Sequence, residues 1–205
     1  MAPAESREPA YKRPVDLAIF AVAHLLLLPM WTLIWGLIPL AIFLDDRGPV
    51  LYRQRRIGKS GRTFYALKFR TMVKDADKIG AVWTAEKDPR LTRVGRVLRH
   101  TALDELPQVI NILRGEMSFV GPRALAEEEH RHWASQINGF ERRLQVRPGL
   151  TGLAQIFGNR DLPRQKLRYD LLYIKRMGLG VDLKLLFLSL WITFRGRWEK
   201  RGKKL

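Results

Sequence analysis

Two adjacent carboxylates, Asp104 and Glu105, precede an apolar stripe at Leu106, Val109, Ile110 and Leu113. The i, i+3, i+4, i+7 spacing predicts a short helix that begins near Asp104 and ends by Gly115, with Pro107 tolerated only in its first turn. At such a start Asp104 is both an N-cap and an anion, and the first amides and the helix dipole favour its ionised form. An aspartate carboxylate can attack phosphorus to give an acyl phosphate, and a neighbouring Mg²⁺ would screen the phosphate charge that otherwise repels it. Alone, an Asp-Glu pair at a helix start is more often plain capping. Its company turns the pair toward phosphate chemistry: Lys68, Arg70, Arg90, Arg93, Arg96, Arg99, Arg123 and Arg147 fall in compact segments beside turns. Guanidinium groups clamp phosphates bidentately. The run Val120-Gly121-Pro122-Arg123 can also present backbone amides beside an arginine, which suits a diphosphate. The sequence has no Walker loop, GxGxxG or zinc-ligand spacing, and no cysteine, so any metal must sit on oxygen or imidazole.

These residues need a frame, and its first part is apolar. From Leu17 to Leu44 there are 28 residues without Asp, Glu, Lys or Arg, more than the roughly 20 needed to cross a bilayer. The run is also too long for a secretory signal. One straight helix of that length reaches about 42 Å, against a hydrocarbon core of about 30 Å, so it must tilt or bend. Leu28-Pro29 lies near its middle, and a proline there breaks or kinks a helix. Cations stand at both flanks: Arg7, Lys12 and Arg13 before it, Arg47, Arg53, Arg55 and Arg56 after it. A spanning helix usually has one cation-poor flank, so both ends read as cytoplasmic; a tilted transmembrane anchor that tolerates its proline remains the alternative. His24 reads as a packed or headgroup-facing side chain.

Beyond the membrane segment, Val50 to Arg56 and Thr63 to Phe69 predict a β-hairpin. Helical spacing follows near Thr92 to Arg99, over Glu127 to Val146 and over Lys166 to Met177, and a Gly- and Asn-rich loop runs from Thr151 to Pro163. Leu179 to Phe194 is apolar but short for a span. With Arg195, Arg197, Lys200, Arg201, Lys203 and Lys204 behind it, it reads as an interfacial helix with a basic tail on anionic phospholipid, or else as a buried core helix with a disordered tail. The formal charge of +17 implies anionic partners, which admits nucleic acid as well as phospholipid and phosphorylated substrates. A basic, membrane-anchored interaction or nucleic-acid-binding protein is therefore the rival reading. Its tryptophans argue against it: Trp31, Trp35 and Trp191 lie in apolar stretches and not in a basic stacking platform.

Several segments, in order, carry a resemblance. Lys68-Phe69-Arg70-Thr71-Met72, Asp88-Pro89-Arg90-Leu91-Thr92-Arg93-Val94-Gly95-Arg96, Leu103-Asp104-Glu105-Leu106-Pro107-Gln108, the stretch from Gly115 to Arg123, that from Arg147 to Gln155, and Tyr169-Asp170 resemble the monotopic phosphoglycosyl transferases, the bacterial sugar transferase family. The resemblance covers the chain from Lys12 to Phe194. It implies a mainly α fold with a small β-hairpin: a membrane-embedded re-entrant helix over 14–45, a cytosolic helical catalytic domain with interfacial amphipathic helices over 46–194, and a basic tail over 195–205, all in one domain of residues 1–205. It places the chain on the cytoplasmic face of a bacterial inner membrane, with a UDP-sugar as donor, undecaprenyl phosphate as acceptor, Mg²⁺ as cofactor, no nucleic acid partner, and a homodimer left open. Asp104 matches the residue that attacks the sugar-bearing phosphorus, releases UMP and holds the sugar phosphate covalently; Glu105 completes the dyad and helps to bind Mg²⁺ or manage the acceptor. Lys68, Arg70, Arg99, Pro122, Arg123 and Arg147 are the expected phosphate-binding residues. A nucleotide-sugar hydrolase would differ in needing no polyprenol phosphate. Three positions depart from the pattern: Leu28 where serine is frequent before Pro29, Ala124 where proline usually follows Arg123, and Phe157 where asparagine is common.

Overall fold

The uncharged run does not form one helix. In the computed structural model, which describes residues 8–76, 88–158 and 162–195, it divides into α1 (Lys12–Leu26) and α2 (Leu28–Asp45). Leu27 stands between them at φ −111°, ψ 23°, outside the helical basin. The interruption thus falls two residues before Pro29, which occupies the first turn of α2, where a missing amide does no harm. A break disturbs the backbone ladder, and side chains support it here. The Trp31 indole N–H donates to Ala23 O at 3.2 Å. His24 is sandwiched between Phe20 and Trp31, with ring centroids at 3.8 and 4.4 Å, so it is the packed residue expected. An aromatic stack therefore supports the bend that has Leu28 in place of serine.

The expected hairpin is present: β1 (Leu51–Ile57) and β2 (Thr63–Phe69) pair antiparallel, with Tyr52 opposite Lys68. Phe64 and Ala66 of β2 pack with Ile112, Met117 and Ala124. Next comes α3 (Arg93–Thr101), capped by Thr92, whose Oγ1 accepts from Gly95 N–H at 2.9 Å. Gly95 is required by contact, since a Cβ there would lie 2.0 Å from Thr71 O. The single helix expected from Asp104 is split into a 3₁₀ turn at Leu103–Glu105 and α4 (Gln108–Leu113). Strands β3 (Ser118–Val120) and β4 (Gly149–Thr151) pair in parallel, and are too short to leave a periodicity in the sequence. The charged stretch from Glu127 is likewise divided, into α5 (Glu127–Gln136) and a 3₁₀ segment at Phe140–Gln145, because Gly139 turns the chain at φ 74°.

Three helices complete the fold: α6 (Leu153–Phe157), α7 (Pro163–Arg176) and α8 (Leu179–Phe194). The last apolar stretch has two different faces in α8. Leu185 and Ile192 join a core with Val120, Val146, Ile156, Tyr173 and Ile174, whereas Leu183, Phe187, Leu190 and Trp191 are exposed. The Arg195 guanidinium lies over the Trp191 ring at 4.4 Å. The expected basic tail beyond it, with Arg197, Lys200, Arg201, Lys203 and Lys204, lies outside the described residues, as do positions 159–161 of the Gly- and Asn-rich loop.

Both ends of the α1–α2 pair are fastened to the same body of protein. At the far end, the Asp45 carboxylate accepts from Val94 N–H at 2.8 Å at the start of α3, and Asp46 pairs with Arg70 at 3.0 Å. At the near end, Lys12 and Arg13, which the sequence shows as flank cations, are bonded within the protein. Arg13 donates to the last carbonyls of α4, Ile112 O and Leu113 O. Lys12, only 4% exposed, donates to Val120 O at 2.7 Å, Tyr173 Oη at 3.1 Å and Asp182 Oδ2 at 3.1 Å. One ammonium thus joins α1, β3, α7 and α8, and its buried charge is balanced by Asp182. Removing one partner of such a pair strands the other without water. Lys12→Met should therefore lower unfolding stability by about 3–5 kcal/mol, and Lys12→Met with Asp182→Leu should recover much of that. Denaturant titration in detergent checks it; equal losses in the single and double variants would show that the pair is not the fastening.

Candidate active site

The turn that bears Asp104 and Glu105 is held against β2 by a buried asparagine. Asn111 of α4, fully buried, donates through Nδ2 to Tyr65 O at 2.8 Å and accepts through Oδ1 from Leu67 N–H at 3.0 Å. A third bond, from Nδ2 to Glu116 Oε2 at 2.6 Å, orients the amide. Because Leu67 immediately precedes Lys68 on the strand, this staple sets α4 and the preceding turn beside the lysine. Lys68 Nζ then lies 2.7 Å from Glu105 Oε1. Arg123, on the loop after β3, brings Nη2 to the same oxygen at 3.3 Å, with its side chain still 42% exposed. One carboxylate oxygen from the 3₁₀ turn therefore gathers a cation from a strand and another from a loop.

The two carboxyls differ in environment. Burial raises Glu105, but Lys68 and Arg123 together overcome that and hold it well below the usual carboxylate range. Burial raises Asp104 as well, the Glu105 charge adds to the rise, and Lys68, Arg99 and Arg123 only partly offset it, so Asp104 sits above its ordinary value. This corrects the expectation of an N-cap aspartate favoured as an anion by helix amides. Asp104 lies inside the 3₁₀ turn, whose preceding residue is Ala102 in the left-handed conformation, and no side chain caps that turn. What favours its ionised form is the surrounding cations.

Of the residues expected to bind phosphate, Lys68, Arg99 and Arg123 converge on the dyad. All three line a continuous cleft with Asp104 and Glu105, and Arg99 is steadied by its Nε–H bond to Thr71 Oγ1 at 2.9 Å. Arg70 also borders this cleft, but its guanidinium is buried against Asp46. Arg147 and Pro122 do not line it: Arg147 donates to Glu8 Oε1 at 2.9 Å and approaches Asp16, and Pro122 O accepts from Gly149 N–H. A cation that the sequence reading treated as a flank charge belongs here instead. Arg56 of β1 is 7% exposed and borders the cleft, and burial together with the neighbouring Arg123 charge pulls it down to about 10. Strand alternation was the available signal, since Arg53 and Arg55 are exposed while Arg56 turns inward. The cleft extends from the dyad to Phe20, His24 and Trp31 at the break between α1 and α2, and to Leu186 and Leu190 of α8.

Among the described residues no three His, Asp or Glu side chains gather into a metal cage. Adjacent Asp104 and Glu105 nevertheless fit a Mg²⁺ that takes one or two carboxylates and completes its shell with water and substrate phosphate.

The chain is similar over most of its length to known proteins. The pattern described as "Bacterial sugar transferase" matches residues 7–196. A UDP-glucose:undecaprenyl-phosphate glucose-1-phosphate transferase of Xanthomonas campestris pv. campestris is 40% identical over 175 residues, 82% of this chain and 36% of that one. A protein of the same description from Caulobacter vibrioides is 42% identical, over 85% of this chain and 66% of its own. The exopolysaccharide production protein ExoY of Sinorhizobium fredii is 38% identical, over 87% and 83%. The chain thus spans about a third of the length of the first of these relatives and just under two thirds of the second.

The raised Asp104 gives a stability test. Its folded value lies above its unfolded one, so the native state holds the extra proton in acid, and stability falls as pH rises past the ordinary aspartate value of about 3.9. Asp104→Asn removes that cost. The variant should melt above the unsubstituted protein at pH 7 in Mg²⁺-free detergent, and the difference should close below about pH 4. A variant that melts lower at pH 7 would instead make Asp104 a structural counter-ion for Lys68 and Arg123.

Proposed function

The chain belongs to the bacterial sugar transferase family, and we propose that it moves a sugar-1-phosphate from a UDP-sugar to undecaprenyl phosphate, the first step in assembling an exopolysaccharide. The observation that carries this reading is a convergence: a buried carboxyl, three cations and an apolar helix pair border one cleft. A charged, water-soluble donor suits the cationic end, and a polyprenol chain suits the apolar end. The rival of a basic interaction protein rests on the charge of +17. Against it, Lys12, Arg70, Arg143 and Arg147 are spent on internal carboxylates and form no common basic surface.

Lys68, Arg99 and Arg123 receive the donor diphosphate, drawing negative charge toward Asp104. The Asp104 carboxylate attacks the phosphorus that carries the sugar; the P–O bond to UMP breaks and an acyl phosphate on Asp104 forms. A phosphate oxygen of undecaprenyl phosphate then attacks the same phosphorus, and the P–O bond to Asp104 breaks, returning the carboxylate. Glu105 assists without becoming the nucleophile, its charge keeping Lys68 and Arg123 in place until phosphate competes for them. Asp104 and Glu105 would hold Mg²⁺, which supplies charge neutralisation at the diphosphate.

The docking of both ends of α1–α2 on one body supports a re-entrant pair that enters and leaves by the cytoplasmic leaflet of the inner membrane. The exposed face of α8 would rest on the same lipid surface. With no native cysteine, probes can be placed singly at Ala10 and Arg47, both exposed. Each should resist an impermeant thiol reagent applied to intact cells and react after permeabilisation. Labelling of the Ala10 probe alone from outside would mean that the pair spans.

For the chemistry, UMP should appear in a single-turnover burst from a UDP-sugar and Mg²⁺ without polyprenol phosphate, with added mass on Asp104 by peptide mapping. Asp104→Asn should abolish both. UMP release only in the presence of acceptor would favour direct transfer, and steady release without acceptor would make the protein a hydrolase.

A further inference from the structure

Arg123 is the most exposed of the cations at the dyad, and its loop must aim it. The loop has alanine at 124, so no proline ring stiffens it there. Its carbonyls are held instead. Pro122 O accepts from Gly149 N–H at 2.9 Å and Leu125 O from Ile57 N–H at 3.1 Å, both ordinary backbone bonds. The two carbonyls between them are taken by side chains: Arg123 O accepts from Arg143 Nη2 at 2.8 Å, and Ala124 O from Arg56 Nη1 at 2.6 Å.

We infer that Arg143 and Arg56 are positioning residues, two buried guanidinium groups that grip successive carbonyls of the loop and thereby set Arg123 against Glu105 for donor binding. The inference rests on the transfer reading above. Arg143 and Arg56 are 5% and 7% exposed, and burying two guanidinium charges is costly unless their geometry is used. Arg143 is balanced by Asp170, 1% exposed and 2.7 Å away, and its guanidinium lies 5.1 Å from the Phe140 ring centroid. The nitrogen that meets Asp170 is also the one that bonds Arg123 O. Asp170 on α7 thus reaches the dyad through two arginines in series, Arg143 and then Arg123. Among the described residues no carboxylate lies at bonding distance from Arg56; Gln54 Oε1 accepts from its Nε and Nη2 at 3.1 and 2.7 Å, aiming Nη1 at the loop. Neither Arg143 nor Arg56 bonds Glu105 itself.

A lysine at 143 keeps the charge for Asp170 but lacks the rigid planar guanidinium that fixes the direction of the N–H on the carbonyl, so Arg143→Lys is the discriminating variant. Donor kinetics would be read as UMP release from a UDP-sugar with undecaprenyl phosphate, alongside melting temperature. Arg143→Lys and Arg56→Lys should each lower kcat/KM for the donor by about 10-fold, chiefly through KM. In an Arg123→Ala background, either replacement should change kcat/KM by less than about 2-fold, because the residue it positions is gone. If Arg143→Lys fails to fold, the neutral pair Arg143→Gln with Asp170→Asn is measured in the same two backgrounds. Losses of equal factor with and without Arg123 would overturn the inference, as would unchanged donor KM in both lysine variants. If the unsubstituted protein releases no UMP from any UDP-sugar, the transfer reading fails and the positioning role falls with it; an active protein with additive losses removes the positioning role alone.

Discussion

The ammonium of Lys12 is the point on which the arrangement turns. It is buried where the first turn of α1 meets β3, α7 and α8, with Asp182, Tyr173 and a backbone carbonyl as partners. Tyr11 and Tyr173 also donate to Asp182, at 3.0 and 2.7 Å, so the anion is satisfied from three sides. The first helix, β3 and the consecutive helices α7 and α8 share one charge pair. Desolvating that pair is worthwhile only when all of them are present, which makes α1 part of the cooperative core and not an appendage to it.

From that anchor the site follows in steps. Fixing α1 fixes Arg13, which closes the carboxyl end of α4; α4 carries Asn111, which clips the dyad turn to β2 beside Lys68. At the other end α2 supplies Asp45 to the start of α3, and α3 carries Arg99 to the cleft. The dyad is therefore built where the two ends of the apolar pair arrive. Its two carboxyls, adjacent in sequence, come to differ because Glu105 reaches two cations directly while Asp104 is buried with only their longer-range field.

Much of this was legible in the sequence. The hairpin followed from two β-prone runs, α3 from its helical spacing, and the break in the apolar run from its length and Pro29. The dyad and Lys68 stood in ordered motifs. What was not legible depended on contacts between distant segments. Nothing local distinguishes Lys12, which is buried, from the other flank cations; only the fold shows that its partner lies 170 residues away. Arg70 and Arg147 have the residue type that binds phosphate, yet Asp46 and Glu8 reach them first. The parallel β3–β4 pair is too brief for any periodic signal and is recognisable instead by its glycines, since a Cβ on Gly149 would lie 2.0 Å from Gly121 N. The pair Tyr169-Asp170 was visible as a motif, but its link to Arg143 and so to the loop of Arg123 required the folded chain.

The elbow between α2 and α3 has a further consequence. Asp45 and Asp46, the last side chains of the apolar pair, are bonded to Val94 N–H, Arg70 and Lys74 N–H, so little slack separates the apolar helix α2 from the wall of the cleft. In the re-entrant placement proposed above, such an elbow would work as a depth gauge. The height of the dyad above the acyl chains would be set by where α2 ends and not by the reach of a tether. On the proposed transfer, a lipid phosphate would then be met at its own level, leaving its tail in the bilayer, while the soluble donor would descend to it.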